Sequence, residues 1–439
     1  MTPLTVRRDA GLRSWGRVER GTYAVVKPRF MDELAGGAAP AGAPRLAMGA
    51  RRSYGDTALS RDGLLIDMTG LDRIRSFDPA TGVLTAEAGL TLGEIMTVFA
   101  PRGWFPPVTP GTRFVTLGGA AANDIHGKNH HRAGTFGRHV TGLRLERSDG
   151  TVLDLAPGEP LFAATIGGLG LTGVIREVSI KLQRIGSAWL AVETLPLPDL
   201  DAFFAVSADS EGHEHTVAWL DCTASGAALG RGVFSRADWL DDGRLQPHRP
   251  GGPRVPLDAP GWLLNPLSLK AFNALYRWRE TTKPRRAEAH YAAVFHPLDA
   301  VLDWNRLYGP AGFYQYQCVT PRDAGAEPIR RMLQIVSASG EGSTLAVLKA
   351  FGDLTSPGMM SFPQPGFTLA LDFANRGEKT LALLARLDEI VAGAGGRLYP
   401  AKDGRMGRAL FEAGYPGLPQ LRPHLDPSCR SDFSVRMGL

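Results

Sequence analysis

The chain has 439 residues, of which 44% are hydrophobic and 21% charged, and its formal net charge is +5 at pH 7. This is the composition of an ordinary globular protein, and its length predicts two domains because it exceeds one ordinary core. The positive charge is small and spread along the chain, so nucleic-acid binding is not expected.

The N-terminal segment MTPLTVRRDAGLRSWG carries arginines but no apolar core of a signal peptide. No stretch approaches the roughly 18 continuous apolar residues that a membrane-spanning helix needs. The three cysteines, Cys222, Cys318 and Cys429, have neither CxxC nor metal-ligand spacing. We therefore expect a cytoplasmic protein with reduced thiols.

Residues 45–185 alternate between strand and helix patterns. RLAMG, GLLIDM and GVLTAEAG are predicted strands separated by glycine turns. In TLGEIMTVFAPRG, Leu92, Ile95 and Phe99 share one helical face, with Thr91 as N-cap. TGLRLERSDGTVLDL predicts a hairpin, and GVIREVSIKLQRI predicts a further strand. This order indicates an α+β domain.

The rest of the chain divides into an irregular stretch and two regular units. Residues 228–290 are rich in proline, glycine and mixed aromatic and cationic residues, which predicts a mobile insert outside the core. After it come GFYQYQCV, a helix in AEPIRRMLQIVSAS and the strand STLAVLKAF, then GFTLALDF, a helix in EKTLALLARLDEIVAG and RLYPA. Two such units predict an antiparallel sheet backed by helices, a second domain that covers a site on the first.

GLGLTG, at 168–173, matches the G-x-G-x-x-G pattern of nicotinamide- and flavin-binding Rossmann folds. In that fold the last glycine opens a helix whose N-terminus meets the pyrophosphate. Here the following residues alternate as in a strand, so we favour a glycine turn of another kind.

Three glycine-rich turns carry the main functional signal: GARRSYGD, PGTRFVTLGGAAANDIHGKNHH and TIGGLGLTGVI. Small residues in successive turns expose backbone N–H groups that converge on a diphosphate. The three turns therefore predict a dinucleotide held by the backbone of the first domain.

The order of GARRSYGD, PGT, GGAAANDIHGKNHH, GGLGLTG, HPLDAVLDWNRLYGPAGFYQYQ and LYPAKDGR resembles the vanillyl-alcohol-oxidase-type FAD-linked oxidoreductases over nearly the whole chain. The resemblance implies a two-domain α+β fold in which both chain ends build the FAD-binding domain. We expect residues 1–185 and 398–439 to form it, and residues 186–397, with the insert at about 228–290, to form the substrate domain.

The resemblance also implies the residues that contact FAD. Many members carry a histidine in the first turn that bonds covalently to the flavin, and Arg52 stands in what looks like that place, so we expect non-covalent FAD. The implied contacts are Gly49, Ala50, Arg51, Arg52, Ser53, Tyr54, Gly55 and Asp56 in the first turn; Pro110, Gly111, Thr112, Leu117, Gly119, Ala120, Ala121, Asn123, Asp124, His126, Gly127 and Asn129 in the second; Gly168, Gly170, Thr172, Gly173 and Ile175 in the third; and Tyr399 and Lys402 near the C-terminus.

Oxidation of a secondary alcohol by a flavin needs a hydride acceptor and a group that removes the hydroxyl proton. The resemblance implies that Lys402, His126 and Tyr54 are catalytic, and it leaves open whether Lys402 or His126 is the base. His130 and His131 lack a third ligand at a recognisable spacing, so no metal is expected.

The same resemblance implies a substrate pocket. Mycobacterial members have a cysteine, an asparagine and a tyrosine where this chain has Ala370, Thr368 and Phe295, which puts the identity of the sugar in question. The implied pocket residues are Lys128, Trp219, Phe295, Phe313, Gln315, Gln317, Lys349, Thr368 and Ala370.

Within the family, the chain is most similar to oxidases of polyprenylphosphoryl ribose. The implied reaction is FAD-dependent oxidation of the 2'-hydroxyl of a polyprenylphosphoryl-β-D-ribose to the 2'-keto compound. It is the first half of an epimerisation to the arabinose donor of cell-wall arabinan, which an NAD(P)H-dependent reductase then completes.

Two other functions remain open: a soluble alditol or aldonolactone oxidase of the same superfamily, and a non-catalytic flavin or lipid-phosphate binding protein. The insert is open to two interpretations as well. Its aromatic and apolar residues among cations fit a peripheral contact with the inner face of the plasma membrane or a solvated loop with a few core anchors; they are Trp262, Leu263, Leu264, Tyr276 and Trp278.

Overall fold

The computed structural model describes residues 4–35 and 43–439. Residues 1–3 and 36–42, which fall in the predicted FAD-binding domain, lie outside the described residues. The described chain combines helices with largely antiparallel sheets, which confirms the α+β class.

The first part of the chain forms two sheets and a short strand pair. A four-stranded sheet has the order Arg7–Asp9, Tyr23–Val26, Leu64–Asp67, Arg45–Met48, and its last three strands are parallel. A five-stranded antiparallel sheet has the order Ile74–Asp78, Val83–Glu87, Val174–Lys181, Val140–Glu146, Val152–Leu155. The short pair joins Trp104–Phe105 to Gln183–Arg184.

Local sequence explains several elements of this part. Thr91 caps the helix Leu92–Phe99 in a capping box with Glu94, as the N-cap pattern predicts. The predicted hairpin is present, and GLGLTG is followed by a strand and not by a helix. The helices here are Met31–Ala35, Leu92–Phe99, Leu117–Ala122, His130–Ala133 and Pro160–Thr165.

The second part is built on one eight-stranded antiparallel sheet, called the large sheet below. It contains both predicted strand-helix-strand units. Gly366–Ala374, the first strand of the second unit, lies between the two strands of the first unit. The strand order is Arg286–His290, Trp189–Leu197, Gly232–Trp239, His215–Leu220, Ala346–Phe351, Gly366–Ala374, Phe313–Pro321, Arg397–Leu398.

Amphipathic helices cover the large sheet. Glu327–Ser339 and Glu378–Gly393 bury apolar faces that include Met332, Val336 and Leu387 in one core cluster with the sheet. In the described chain no helix combines the length and apolarity needed to cross a bilayer. The remaining helices are Leu200–Asp209, Pro266–Thr282, Tyr291–Phe295, Arg408–Gly414, Leu418–Leu421 and Asp432–Met437.

The beginning of the predicted insert needs correction. Gly232–Trp239 lies between two strands of the large sheet, and Phe234 is 1% exposed. GVFSRADW has the apolar character of a strand, and the proline- and glycine-rich composition that suggested an insert begins only after it. The insert therefore starts beyond Trp239, and it ends before Arg286–His290, which pairs with Trp189–Leu197 in the same sheet.

The C-terminal segment returns to the first part of the chain. The Tyr54 N–H donates to the Ala401 carbonyl at 2.9 Å, and Arg436 pairs with Asp56. Phe411 and Phe433 share a core cluster with Tyr23. These contacts support an FAD-binding domain made of both ends, while the boundaries at 185 and 397 stay predictions.

Candidate active site

A cavity of about 310 Å³ lies where the three glycine-rich turns meet the large sheet. The turns supply backbone and small side chains, and the sheet supplies polar side chains. The structure thus brings most of the predicted residues to one place. Those that line the cavity are Gly49, Ala50, Arg51, Arg52, Ser53, Tyr54, Pro110, Gly111, Thr112, Gly119, Asn123, His126, Gly127, Lys128, Gly170, Gly173, Ile175, Phe295, Gln315, Gln317, Lys349, Thr368, Ala370, Tyr399 and Lys402. Thr116 and Gly118 of the second turn line it too and were not predicted.

Other predicted residues lie behind this wall and support it. Asp56 pairs with Arg436, and Asp124 accepts from the Gly137 N–H at 2.7 Å and from two serine hydroxyls. Phe313 packs against Tyr54, with ring centroids 5.4 Å apart. The predicted residues outside the lining are Gly55, Asp56, Leu117, Ala120, Ala121, Asp124, Asn129, Gly168, Thr172, Trp219 and Phe313.

The first turn presents unused backbone donors to the cavity. Within residues 4–35 and 43–439, the N–H groups of Ala50, Arg51, Arg52 and Ser53 have no acceptor. Arg51 has φ 55°, and a left-handed residue in such a run turns successive N–H groups toward one point. This geometry fits the diphosphate of a dinucleotide.

The second turn also lets a dinucleotide come close to its backbone. A Cβ on Gly118 would lie 2.7 Å from the Ala88 Cβ, so only glycine fits there. The Asn123 Oδ1 atom is buried and has no partner among the described residues. A dinucleotide supplies the donors that such a buried acceptor needs, so these residues fit FAD.

Arg52 is fixed by aromatic rings. Its guanidinium carbon lies 4.2 Å from the Trp15 ring centroid and 4.9 Å from that of Phe114. Burial lowers the pKa of Arg52, and its buried Nε has no partner in the described chain. An arginine cannot form the histidyl bond to flavin, so non-covalent binding of FAD stays a prediction.

His126 lies in a box of aromatic rings. Phe351, Tyr399 and Phe362 have ring centroids 4.9, 5.3 and 5.6 Å from that of His126. Burial and the Lys349 charge hold the pKa of His126 well below its usual value, so the ring is neutral. Its Nε2 accepts from the Gln317 amide at 3.0 Å, which leaves Nδ1–H as a donor with no partner in the described chain.

Three lysines bring positive charge to the cavity. Burial lowers the pKa of Lys128 and of Lys402 to about 8. Burial, together with the charges of those two lysines, lowers the pKa of Lys349 to about 7. A bound anion would relieve this repulsion, so the cavity is suited to a negatively charged ligand.

One buried carboxyl group lies behind the lysines. Gln315 donates to Asp372 at 2.6 Å from the facing strand, and Lys402 lies 4.0 Å from the Tyr54 ring centroid. Burial raises the pKa of Asp372 to about 7 although Gln315 and Lys402 act against it. Burial also raises the pKa of Tyr54 well above its usual value, so its hydroxyl stays protonated. Lys402 therefore lies against the Tyr54 ring, and the charge of Asp372 acts on it within the same buried site.

Sequence reasoning missed several residues of the site. Trp15 and Trp304 line the cavity, and their rings meet at 5.5 Å. Asp299 lines it too, and accepts from the Arg113 N–H at 2.8 Å. Trp304 lies in HPLDAVLDWNRLYGPAGFYQYQ, one of the segments that carry the family resemblance, so the resemblance could have indicated it. Asp372 was visible as a lone carboxylate in the apolar strand FTLALDF.

Comparison with known proteins agrees with this geometry. The family described as "FAD binding domain" matches residues 24–156, which contain the first two glycine-rich turns. Together with this match, the fold, the unused backbone donors of the first turn and the buried Lys402 indicate an FAD-dependent oxidoreductase.

The relatives identify the family. The chain is 35% identical to decaprenylphosphoryl-β-D-ribose oxidase of Mycolicibacterium smegmatis, over 100% of this chain and 98% of that protein. It is 37% identical to an uncharacterized protein of Streptomyces coelicolor, over 80% of this chain and 100% of that one. L-gulono-1,4-lactone dehydrogenase of Mycobacterium tuberculosis is 34% identical over only 36% of this chain and 37% of its own. The chain belongs to the decaprenylphosphoryl-β-D-ribose oxidase family.

Gly55 lies where the first turn meets the C-terminal segment, and this contact leaves no room for a side chain at position 55. A Cβ there would lie 1.7 Å from the Asp403 carbonyl oxygen, so Gly55→Ala must push apart the backbones that carry Tyr54 and Lys402. We expect a loss of about 3 kcal/mol or more in the free energy of unfolding and weaker FAD retention. Thermal unfolding measures this, with Gly212→Ala as control because its Cβ meets nothing within 4 Å. Equal unfolding midpoints would contradict the expectation.

The environment of Arg52 gives a second prediction. Acid precipitation of the yellow protein should release all FAD into the supernatant, since Arg52 cannot form the histidyl link to the flavin. The absorbance of supernatant and pellet measures the release. A pellet that stays yellow after washing in denaturant would show a covalent bond elsewhere in the chain.

Proposed function

We propose that the enzyme oxidises the 2'-hydroxyl of a polyprenylphosphoryl-β-D-ribose to the 2'-keto compound. The observation that carries this proposal is the pair of buried lysines Lys128 and Lys349, whose pKa values are lowered to about 8 and about 7. A lipid phosphate supplies an anion for these two lysines, whereas a neutral alditol or lactone does not. The name and full coverage of the Mycolicibacterium smegmatis relative support the same substrate.

Bound FAD would supply the hydride acceptor. The backbone N–H groups of Ala50–Ser53 and the glycines of the second turn would hold its diphosphate. We propose that Lys402 removes the hydroxyl proton, because a lysine whose pKa is about 8 is partly neutral near neutral pH. His126 is less suited to this role, since its Nε2 already accepts from Gln317. The neutral His126 would donate from Nδ1, and Tyr54 would line the reacting position.

The sheet residues would orient the sugar phosphate. Lys349 lies close to the second turn, with its Nζ 3.5 Å from the Gly127 carbonyl oxygen, and would bind the phosphate with Lys128. Gln315 and Gln317 are fixed by Asp372 and His126, so they present their remaining polar atoms in set directions. Thr368 and Ala370 lie on the same strand and give this pocket a different shape from that of a cysteine-containing relative.

The chemistry of the product implies a following step. A 2'-keto sugar becomes the arabinose epimer only if hydride is added to the opposite face. We therefore propose that an NAD(P)H-dependent reductase acts next, so that the two enzymes together epimerise the lipid-linked ribose.

An alditol or aldonolactone oxidase is the second candidate. L-gulono-1,4-lactone dehydrogenase and a D-arabinono-1,4-lactone oxidase of Neurospora crassa cover 36% and 28% of this chain. A neutral alditol or lactone would leave Lys128 and Lys349 without an anionic partner in the cavity. The lipid phosphate is therefore the better supported choice.

Anaerobic flavin absorbance tests the choice directly. The purified holoenzyme is mixed with a short-chain polyprenylphosphoryl ribose in one cuvette and with a free alditol in another. Bleaching by the lipid phosphate alone is the expected result. Bleaching by the alditol alone would replace the proposal by the second candidate, and no bleaching by either would exclude both.

The lysine pKa values predict opposite pH trends for kcat and substrate affinity. Lysine is cationic below its pKa and neutral above it, so kcat should rise toward pH 8 as Lys402 becomes able to accept a proton. The KM for the lipid phosphate should rise above pH 7 as Lys349 loses its charge. Steady-state rates from about pH 6 to about pH 9 measure both trends. A kcat that falls over this range would contradict Lys402 as the base.

A further inference from the structure

The helix Pro266–Thr282, called the outer helix below, leaves one apolar face uncovered by the described chain. Half of the large exposed hydrophobic residues in the described chain fall between positions 257 and 278. On the outer helix, Leu267 is 79% exposed, Leu275 61% and Trp278 63%. Single exposed apolar residues are ordinary on protein surfaces, whereas a cluster of this kind marks an interaction site.

The exposed residues form a stripe and do not surround the helix. Leu267, Ala271, Ala274 and Trp278 recur every three or four residues and are all exposed. The helix buries its opposite face, where the Asn273 amide donates to Asp221 at 3.0 Å. The stripe is therefore the exposed face of a helix whose opposite face is buried against the protein.

Two residues named from the sequence as interfacial lie on the inner side instead. Tyr276 packs against Trp219, with ring centroids 4.5 Å apart, and Leu264 packs against the cluster of Tyr54, Tyr308 and Phe313. These inward contacts join the outer helix to the wall of the active-site cavity. Trp262, 73% exposed, lies just before the helix, and its carbonyl accepts from the Asn265 amide at the helix start.

Cations border the stripe on both sides. With 100° of rotation per residue, Lys270 and Arg277 flank one edge of the stripe and Arg279 flanks the other. Beyond the helix, Arg285 and Arg286 are 64% and 83% exposed, and both pair with Glu193. The one acid of the helix, Glu280, is 17% exposed and pairs with Lys283 at 2.7 Å and with Arg279 at 3.5 Å, while the Arg279 side chain stays 66% exposed.

We propose that the stripe of the outer helix, with Trp262, docks the enzyme on the surface of an anionic phospholipid membrane. Charge complementarity selects this occupant: the apolar stripe enters the interface while Lys270 and Arg279 reach the phosphates beside it. A second copy of the chain would bring the same cations to the contact and be repelled. The use of this surface rests on the proposed function, because a lipid-linked sugar lies in such a membrane.

Vesicle co-sedimentation of the holoenzyme tests the docking surface without relying on turnover. The expected result is binding to vesicles that contain phosphatidylglycerol and little binding to pure phosphatidylcholine. The triple variant Leu267→Ser/Leu275→Ser/Trp278→Ser should bind these vesicles at least about tenfold more weakly than the wild type. The matched control, Phe30→Ser/Val435→Ser, removes apolar residues that are 57% and 58% exposed elsewhere and should bind as the wild type does. Lys270→Gln/Arg279→Gln should lose the preference for the anionic vesicles.

Further measurements separate loss of membrane binding from misfolding and from dimerisation. The triple variant should retain its FAD absorbance, its unfolding midpoint and its turnover of a water-soluble short-chain substrate, so weak vesicle binding cannot reflect misfolding or a wrong substrate. Absence of wild-type binding, or equal binding by the triple variant, would overturn the proposal. Light scattering that shows a dimer in the wild type and a monomer in the triple variant would also overturn it, in favour of a second copy.

Discussion

Replacing Lys402 with methionine should slow reduction of the bound flavin by the lipid-phosphate substrate about 10³-fold, without loss of FAD. Methionine keeps the apolar stem against the Tyr54 ring but has no amine to accept a proton. The backbone should not move, because the Lys402 N–H donates to the Tyr399 carbonyl and the adjacent Ala401 carbonyl accepts from Tyr54.

Anaerobic stopped-flow absorbance of the flavin measures this rate. The control is Lys181→Met, since Lys181 is an exposed lysine at the end of a strand far from the cavity lining. The rise of kcat toward pH 8 should disappear in Lys402→Met as well. An unchanged rate in that variant, or a rise of kcat that persists, would assign the base to another group.

Replacing Lys349 with methionine should raise the KM for the lipid phosphate about 10- to 100-fold and change kcat much less. A charge-assisted hydrogen bond in a buried site contributes roughly 1.5–3 kcal/mol, which corresponds to this factor. Burial, together with the charges of Lys128 and Lys402, lowers the pKa of Lys349 to about 7, so the wild type loses the Lys349 charge as the pH rises through this value. The rise in KM with pH should therefore weaken in the variant.

Steady-state kinetics with paired substrates isolate this effect. A neutral analogue of the sugar without phosphate should show a similar KM in the wild type and in Lys349→Met. Lys181→Met again provides the control for loss of a lysine elsewhere. Equal losses with charged and neutral substrates would show that Lys349 shapes the pocket and does not bind phosphate.

The parts of the fold that local chemistry determines were predictable from the sequence. The capping box at Thr91, the hairpin over 140–155 and the two long helices on the large sheet follow from spacing within a few residues. The absence of a helix after GLGLTG followed from the same local pattern.

Long-range pairing could not be predicted in the same way. Gly232–Trp239 was placed in the insert because its neighbours are rich in proline and glycine, although its partners Trp189–Leu197 and His215–Leu220 bury it in a sheet. The pair of Gln315 and Asp372 depends on the register of two strands 57 positions apart. The position of Trp15 against Arg52 and Trp304 depends on a chain segment with no pattern of its own.

The position of the hydride transfer tests the central claim most directly. Short-chain polyprenylphosphoryl ribose carrying deuterium at C2' or at C3' is mixed with the holoenzyme without oxygen, and the rate of flavin bleaching is followed. The account predicts that deuterium at C2' slows the bleaching and that deuterium at C3' does not. Slower bleaching with the C3' label alone, or bleaching only by a phosphate-free sugar, would contradict it.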